Sequence, residues 1–106
     1  MALSMRFHGF DWDAGNRAKC EKHGLRAAEI ESMFADAFAV FPDVTHSHAE
    51  TRLRAIGKSA GGRWIFCAFT LRERDGATLL RPISARYMHA REVLHYEKET
   101  ARSANR

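Results

Sequence analysis

No stretch of this chain is long and apolar enough to serve as a signal peptide or to span a bilayer, and the opening residues 1–10 carry no such run. A cytoplasmic protein with no membrane partner is the expectation. Cysteine is scarce: Cys20 and Cys67 stand far apart in unlike settings, so nothing here builds a disulfide framework. Cys67 lies inside an apolar run, Ile65 to Phe69, and reads as a small core residue. His46, Ser47 and His48, with Cys20 and His23 elsewhere, match no closed zinc spacing, so no metal site and no cofactor are expected. Gly57-Lys58-Ser59 lacks the upstream glycine of a phosphate-binding P-loop and joins two strands rather than a strand and a helix. The chain has no internal repeat and no low-complexity tract.

Lysine is also sparse, at four positions only: Lys19, Lys22, Lys58 and Lys98. The excess of 17 Lys+Arg over 13 Asp+Glu, net +4, is therefore carried mainly by arginine. A guanidinium fork binds phosphate bidentately and keeps its charge at any ordinary pH, which suits a nucleic acid or an acidic protein as partner. An arginine-rich surface that serves solubility alone is the plain alternative. With 106 residues, 45% of them hydrophobic, the chain has room for one core and one domain. Met5 reads as an alternative initiator, which would make residues 1–4 dispensable; residues 1–5 read as a disordered or dispensable extension and residues 103–106 as a frayed tail.

A possible short strand around Phe7, Phe10 and Trp12 opens the chain. Asp13 then caps a helix running to His23, which Gly24 stops. Ile30, Met33 and Phe34 share one face of a second helix over 27–35. An apolar strand over 37–41 closes at Pro42-Asp43. Strands follow over 50–56, 63–71 and 77–85, joined by a glycine-rich loop over 57–62 and a turn at Arg74-Asp75-Gly76. A third helix covers 88–102. Helices followed by a strand meander, without strict alternation, predict an α+β fold: an antiparallel sheet packed by two N-terminal helices and one C-terminal helix.

Side chains in a strand alternate faces. Strict alternation puts Glu50, Arg52 and Arg54 together, Thr70 with Arg72, and Ser84 with Arg86, and it puts Leu79, Ile83 and Ala85 behind them with the core. One face then carries Arg52, Arg54, Arg72 and Arg86, a phosphate-binding surface if the register aligns them. A solvated sheet face kept soluble by Arg and Glu gives the same pattern.

Four stretches, in order, resemble the BrnT toxin family: Trp12-Asp13-Ala14-Gly15-Asn16-Arg17 with Lys19 and Lys22-His23-Gly24; Glu50-Thr51-Arg52 before Gly57; Gly62-Arg63 leading to Phe69-Thr70-Leu71-Arg72; and Arg81-Pro82-Ile83-Ser84-Ala85-Arg86 with Glu92 and Tyr96-Glu97. Cys20 stands where the family usually has Asn. The resemblance implies a RelE-like fold and a toxin of a type II toxin–antitoxin system that cuts RNA and inhibits translation. It also implies a cognate ribbon-helix-helix antitoxin of the BrnA type in a 2:2 assembly, with DNA met only through that antitoxin.

RNA cleavage of this kind needs no metal: the 2′-OH attacks the adjacent phosphate, a base takes its proton, and cations stabilise the charge that develops. Arg72 and Arg86 are the candidate charge stabilisers, and Arg52, Arg54, Lys22 and Lys58 the candidate phosphate contacts. His23 and Glu50 are the candidate proton carriers, since His titrates near neutral pH and a carboxylate can act as a base. His23 reads equally as a cation complementing a helix C-terminus, and Glu50 as an ion-pair partner. Glu92 and Tyr96, four residues apart on one helix face, either cap the site or serve structure. Trp12 and Trp64 are candidates for base stacking, though a core or interface role is commoner. The competing reading is a basic nucleic-acid-binding or antitoxin-binding module without catalysis.

Overall fold

The computed structural model describes residues 6–46 and 50–104. Its elements in chain order are β1 (Gly9–Phe10), α1 (Ala14–Glu21), α2 (Ala27–Phe34), β2 (Phe38–Pro42), a 3-10 turn (Val44–His46), β3 (Leu53–Lys58), β4 (Trp64–Arg74), β5 (Ala77–Tyr87) and α3 (Ala90–Ala104). The expected α+β architecture is present. A five-stranded sheet in the order β1-β5-β4-β3-β2 carries α1 and α2 on one face, here called the core face. The meander β2 to β5 is antiparallel throughout, whereas β1 joins β5 in parallel, so the sheet is mixed rather than wholly antiparallel.

Local chemistry explains the boundaries. At α1 the Asp13 carboxylate accepts from the Asn16 N–H at 3.0 Å, and the Asn16 side-chain oxygen accepts from the Asp13 N–H at 2.7 Å. This reciprocal cap satisfies two of the N–H groups that a helix start leaves free. The helix ends at Glu21, two residues before the expected His23, and the turn closes on Gly24 in the left-handed region. Asp75 and Gly76 both have positive φ, as a two-residue hairpin turn matched to strand twist requires. That turn lets β4 and β5 run longer than expected, to 11 residues each.

Leu25, Ile30, Met33 and Phe34 from the helical side pack on Ala55, Ile65, Cys67, Phe69, Leu80 and Ala85 of the sheet. Phe34 is the hub, its ring 4.9 Å from Phe38 and 5.5 Å from Phe69 in edge contacts. Gly57 is required beneath this layer, because a Cβ there would meet Met33 Cγ at 3.0 Å and Phe38 Cβ at 3.1 Å. Cys67 is the core residue expected, and Cys20 joins it, both free. Burial pushes the Cys20 thiol up to about 11 and the Cys67 thiol well above its ordinary value.

Several expectations are corrected. β3 begins at Leu53, so Glu50 and Arg52 lie in the approach to the strand rather than in it. Leu79 and Ile83 do not face the core. Pairing shifts by one residue between Ala68 and Phe69 of β4: Ala68 opposes Ser84, while Phe69 opposes Pro82, leaving Ile83 as the extra residue of a β-bulge. Upstream of the bulge the core-facing residues are Leu80 and Pro82, and downstream they are Ala85 and Tyr87. Arg81, which strict alternation sends inward, therefore shares a face with Arg72, Ser84 and Arg86. α3 runs to Ala104, where a frayed tail was expected from 103. The expected extension 1–5, His48 and the last two residues lie outside the described residues.

Candidate nucleic-acid interface

The second sheet face, opposite α1 and α2, has a floor of small side chains. Directly opposed residues follow from the register: Arg54, Ala68 and Ser84 form one row across β3, β4 and β5, and Ile56, Phe66 and Arg86 form the next. Thr70 opposes Arg81, and Arg72 opposes Leu79. Ala68 and Ser84 thus make a low floor, with Thr70 buried beside them and Arg54, Arg72, Arg81 and Arg86 around it. Thr70 is 1% exposed, and its hydroxyl has no hydrogen-bond partner. It is a buried polar group placed between strands that carry cations.

Two clefts open on this face. One, of about 440 Å³, lies over Ala68 and Ser84 and is bordered by Arg52, Arg54, Phe66 and the 3-10 turn. The other, of about 650 Å³, gathers Glu50, Arg72, Arg81 and Ile83 with Asp13, Asn16 and Lys19 from the start of α1. Here the Arg72 guanidinium sits 3.2 Å from Glu50, with both side chains 42% exposed. Arg81 donates to Asp13 at 2.8 Å and stands 3.6 Å from the buried Asp11, which Arg74 approaches at 3.5 Å. The Asn16 N–H and the Arg81 guanidinium together hold the Asp13 carboxyl below the usual carboxylate range.

Arg86 is held most firmly. Its two terminal nitrogens bind both oxygens of Glu92 at 2.7 and 2.8 Å, and its guanidinium lies 5.0 Å from the centre of the Phe66 ring. The pairing raises the Arg86 pKa and lowers Glu92 to about 2, with Arg86 the larger cause and the His89 N–H the next. Glu92 belongs to α3, so this fork ties that helix to the sheet.

Of the residues expected at the site, Arg52, Arg54, Arg72, Arg86 and Glu50 come to this face. Lys58 shares this face, at the end of β3, but lies over the Trp64 ring at 5.0 Å, beneath α3 and away from both clefts. His23 and Lys22 line none of the described clefts. They stand exposed in the turn after α1, roughly 6 Å of helical rise beyond Lys19, which does line one. Trp12 is an interface residue: its indole N–H donates to Glu31 at 2.9 Å and ties α1 to α2. Trp64 meets Tyr96 of α3 edge-on at 5.3 Å. Among the described residues, no group of three His, Cys, Asp or Glu is placed to hold a metal ion, and no helix is long and apolar enough to cross a membrane.

Arg81 and Lys19 were missed as site residues. Arg81 was hidden by the bulge, yet the sequence does carry a signal for it: Pro82 inside a strand, where proline is confined to edges and bulges. Lys19 reaches the cleft only because α1 starts at the edge of β5.

The model of a protein family described as "Ribonuclease toxin, BrnT, of type II toxin-antitoxin system" matches residues 12–92. That range includes both clefts and the Arg86–Glu92 fork. No curated protein matches the chain at significance.

Proposed function

From its membership of the BrnT family, the ribonuclease toxins of type II toxin–antitoxin systems, we propose that this protein cuts single-stranded RNA without a metal, on the arginine-ringed face of its sheet, and so inhibits translation in the cytoplasm. The observation that carries the reading is the register. It sets Arg54, Arg72, Arg81 and Arg86 around Ala68 and Ser84, small residues that line an open cleft over which a phosphate can approach closely.

In the proposed reaction a phosphodiester sits over that floor. Arg52 and Arg54 bind the backbone, and Arg72 and Arg86 meet the charge that grows on the phosphate oxygens. The substrate 2′-oxygen attacks phosphorus, its proton passes to the Glu50 carboxylate, and the bond to the 5′-oxygen breaks, leaving a 2′,3′-cyclic phosphate. Water, which reaches this exposed face, protonates the departing 5′-oxygen, and Glu50 then returns its proton to solvent. Arginines placed in advance where charge develops do the work that a metal would otherwise do. Lys19, Lys22 and His23, strung along α1 and the turn after it, are assigned to the flanking strand, with Lys58 on the far side. The partner we assign is a ribbon-helix-helix antitoxin in a 2:2 assembly, its acidic groups competing for the same arginines.

One observation favours a second reading. Arg72, Arg81 and Arg86 each already hold a carboxylate of this chain, as befits a basic face kept for an acidic protein and not for chemistry. Induced expression of wild type, Arg86→Ala and Arg72→Ala in bacteria, with growth followed and total RNA examined, separates the two. Wild type is expected to arrest growth and cut RNA, with each folded variant slower by roughly 10²–10³. A folded wild type that cuts no RNA leaves the second reading standing.

A further inference from the structure

A third cleft, of about 740 Å³, lies between α3 and the sheet, next to the arginine-ringed face. Phe41, Ile56 and Phe66 form its floor, and Met88 and Tyr96 form its far wall. α3 leans over strands β2 to β4 here without closing on them. We propose that this cleft receives an unpaired RNA base, stacked beside Tyr96 and Phe66, while the neighbouring phosphate lies on Arg86 and Arg54. The inference rests on the ribonuclease reading and gives that reading a base-binding subsite.

Three features point to a base. Phe66 borders both this cleft and the Arg52/Arg54 cleft, and Arg86 lies on its ring. Phe66 and Arg86 are directly opposed across β4 and β5, so apolar cleft and phosphate cation are one side chain apart. A nucleotide needs that arrangement, since a single sugar separates its flat apolar base from its charged phosphate. Next, the Tyr96 ring is held in place although α3 is largely exposed: Trp64 packs edge-on against it at 5.3 Å. A braced aromatic makes a stacking platform at low entropic cost, and every base has a face to offer it. Finally, the rim mixes charges and donors, with Arg91 and His95 against Glu92 and Glu99, and with Thr100 beside them. Such a rim does not select an acidic peptide, but it offers both donors and acceptors to the edge of a base.

The test compares binding of two probes with equal phosphate count: a 2′-O-methyl tetra-adenylate, which cannot undergo 2′-OH attack, and the corresponding abasic tetranucleotide. Wild type is expected to prefer the probe with bases. Tyr96→Ala is expected to weaken that binding roughly 5- to 150-fold and to leave the abasic affinity unchanged, with Tyr96→Phe restoring it. Phe66→Leu should act in the same direction; because Tyr96 lies on an exposed helix, its variants report even if the Phe66 variant fails to fold. Equal wild-type affinity for the two probes, or an equal loss on both from Tyr96→Ala, overturns the inference. So does a Tyr96→Ala protein that keeps both affinities but loses its grip on purified antitoxin, which would make the occupant a peptide. A wild type that cuts RNA yet ignores bases refutes the subsite alone. One that prefers bases but cuts nothing keeps the subsite and refutes the catalytic reading.

Discussion

Asn16→Ala tests how the site's edge is held. β1 contributes only Gly9–Phe10 to the sheet, yet the exposed edge of β5 continues beyond it. Carbonyls of alternate β5 residues are met in turn: the His8 N–H reaches Thr78 O at 2.7 Å, the Asp11 N–H reaches Leu80 O at 2.9 Å, and the Asn16 side-chain amide reaches Pro82 O at 2.7 Å. The amide thus supplies the rung that a longer β1 would have given, and its second hydrogen goes to Asp11 O at 3.0 Å. Asn16 is 4% exposed. Truncation to alanine leaves two buried carbonyls without a donor, each worth about 1–3 kcal/mol, and removes half of the α1 cap, worth about another 1 kcal/mol. Allowing for some entry of water, the net cost is about 2–5 kcal/mol. For a domain of this size that corresponds to a melting temperature lower by roughly 10–30 °C. Asn16→Asp keeps the capping acceptor but loses both donors, and is expected to cost a similar amount. Urea denaturation at pH 7 reads both. A change below about 1 kcal/mol with an unaltered m-value would refute the idea that this amide satisfies the edge.

Gly57→Ala forces a methyl to within about 3 Å of Met33 and Phe38, and is expected to cost about 1–3 kcal/mol in the same assay; a neutral or stabilising result would mean that this layer yields freely. The Arg86–Glu92 fork gives a pH signature: Glu92 is depressed from 4.5 to about 2, so its stabilisation is full above pH 4.5 and disappears as pH falls through about 2. With both side chains 37% exposed, that contribution is about 1 kcal/mol or less. The difference in urea midpoint between wild type and Glu92→Gln should close across this interval, and a difference that stays constant would contradict the linkage. RNA cleavage should persist in excess EDTA if the arginines alone carry the charge, whereas abolition by EDTA that added divalent metal reverses would sink the metal-free mechanism.

Much of this arrangement was legible in the residues. Asp13, Gly24, Asp75-Gly76 and the spacing of Ile30, Met33 and Phe34 mark helix ends, a turn and a buried face through local rules that tertiary packing had no reason to override. Arg54, Arg72 and Arg86 were placed together by alternation alone, and the register bears that out. Arg81, Leu79 and Ile83 were misplaced because alternation assumes an unbroken ladder, and a bulge is decided by how two strands meet. The parallel seat of β1 was invisible for a related reason: two residues carry no periodicity, and only Asn16 and the edge of β5 give them a place. The carboxylate partners of Arg81 and Arg86 lie 68 and 6 residues away. The nearer one, Glu92, was singled out as a possible cap of the site, while Asp13 was seen only as a helix cap.

The bulge at Ile83 also governs how this stretch of chain can vary in length. Because it consumes one residue and restores the pairing afterwards, β5 behaves as two strands in series with opposite inside–outside phase. Most substitutions between Leu79 and Arg86 change one side chain and leave the others where they were. Loss of Ile83 itself straightens the ladder without turning either half, because Pro82 and Ser84 already oppose the adjacent residues Phe69 and Ala68. Leu80, Pro82, Ala85 and Tyr87 then stay with the core, and Arg81, Ser84 and Arg86 stay on the opposite face. The segment can therefore lose that one residue and keep every other side chain on its own face, which the partly exposed side chains taken one at a time do not reveal.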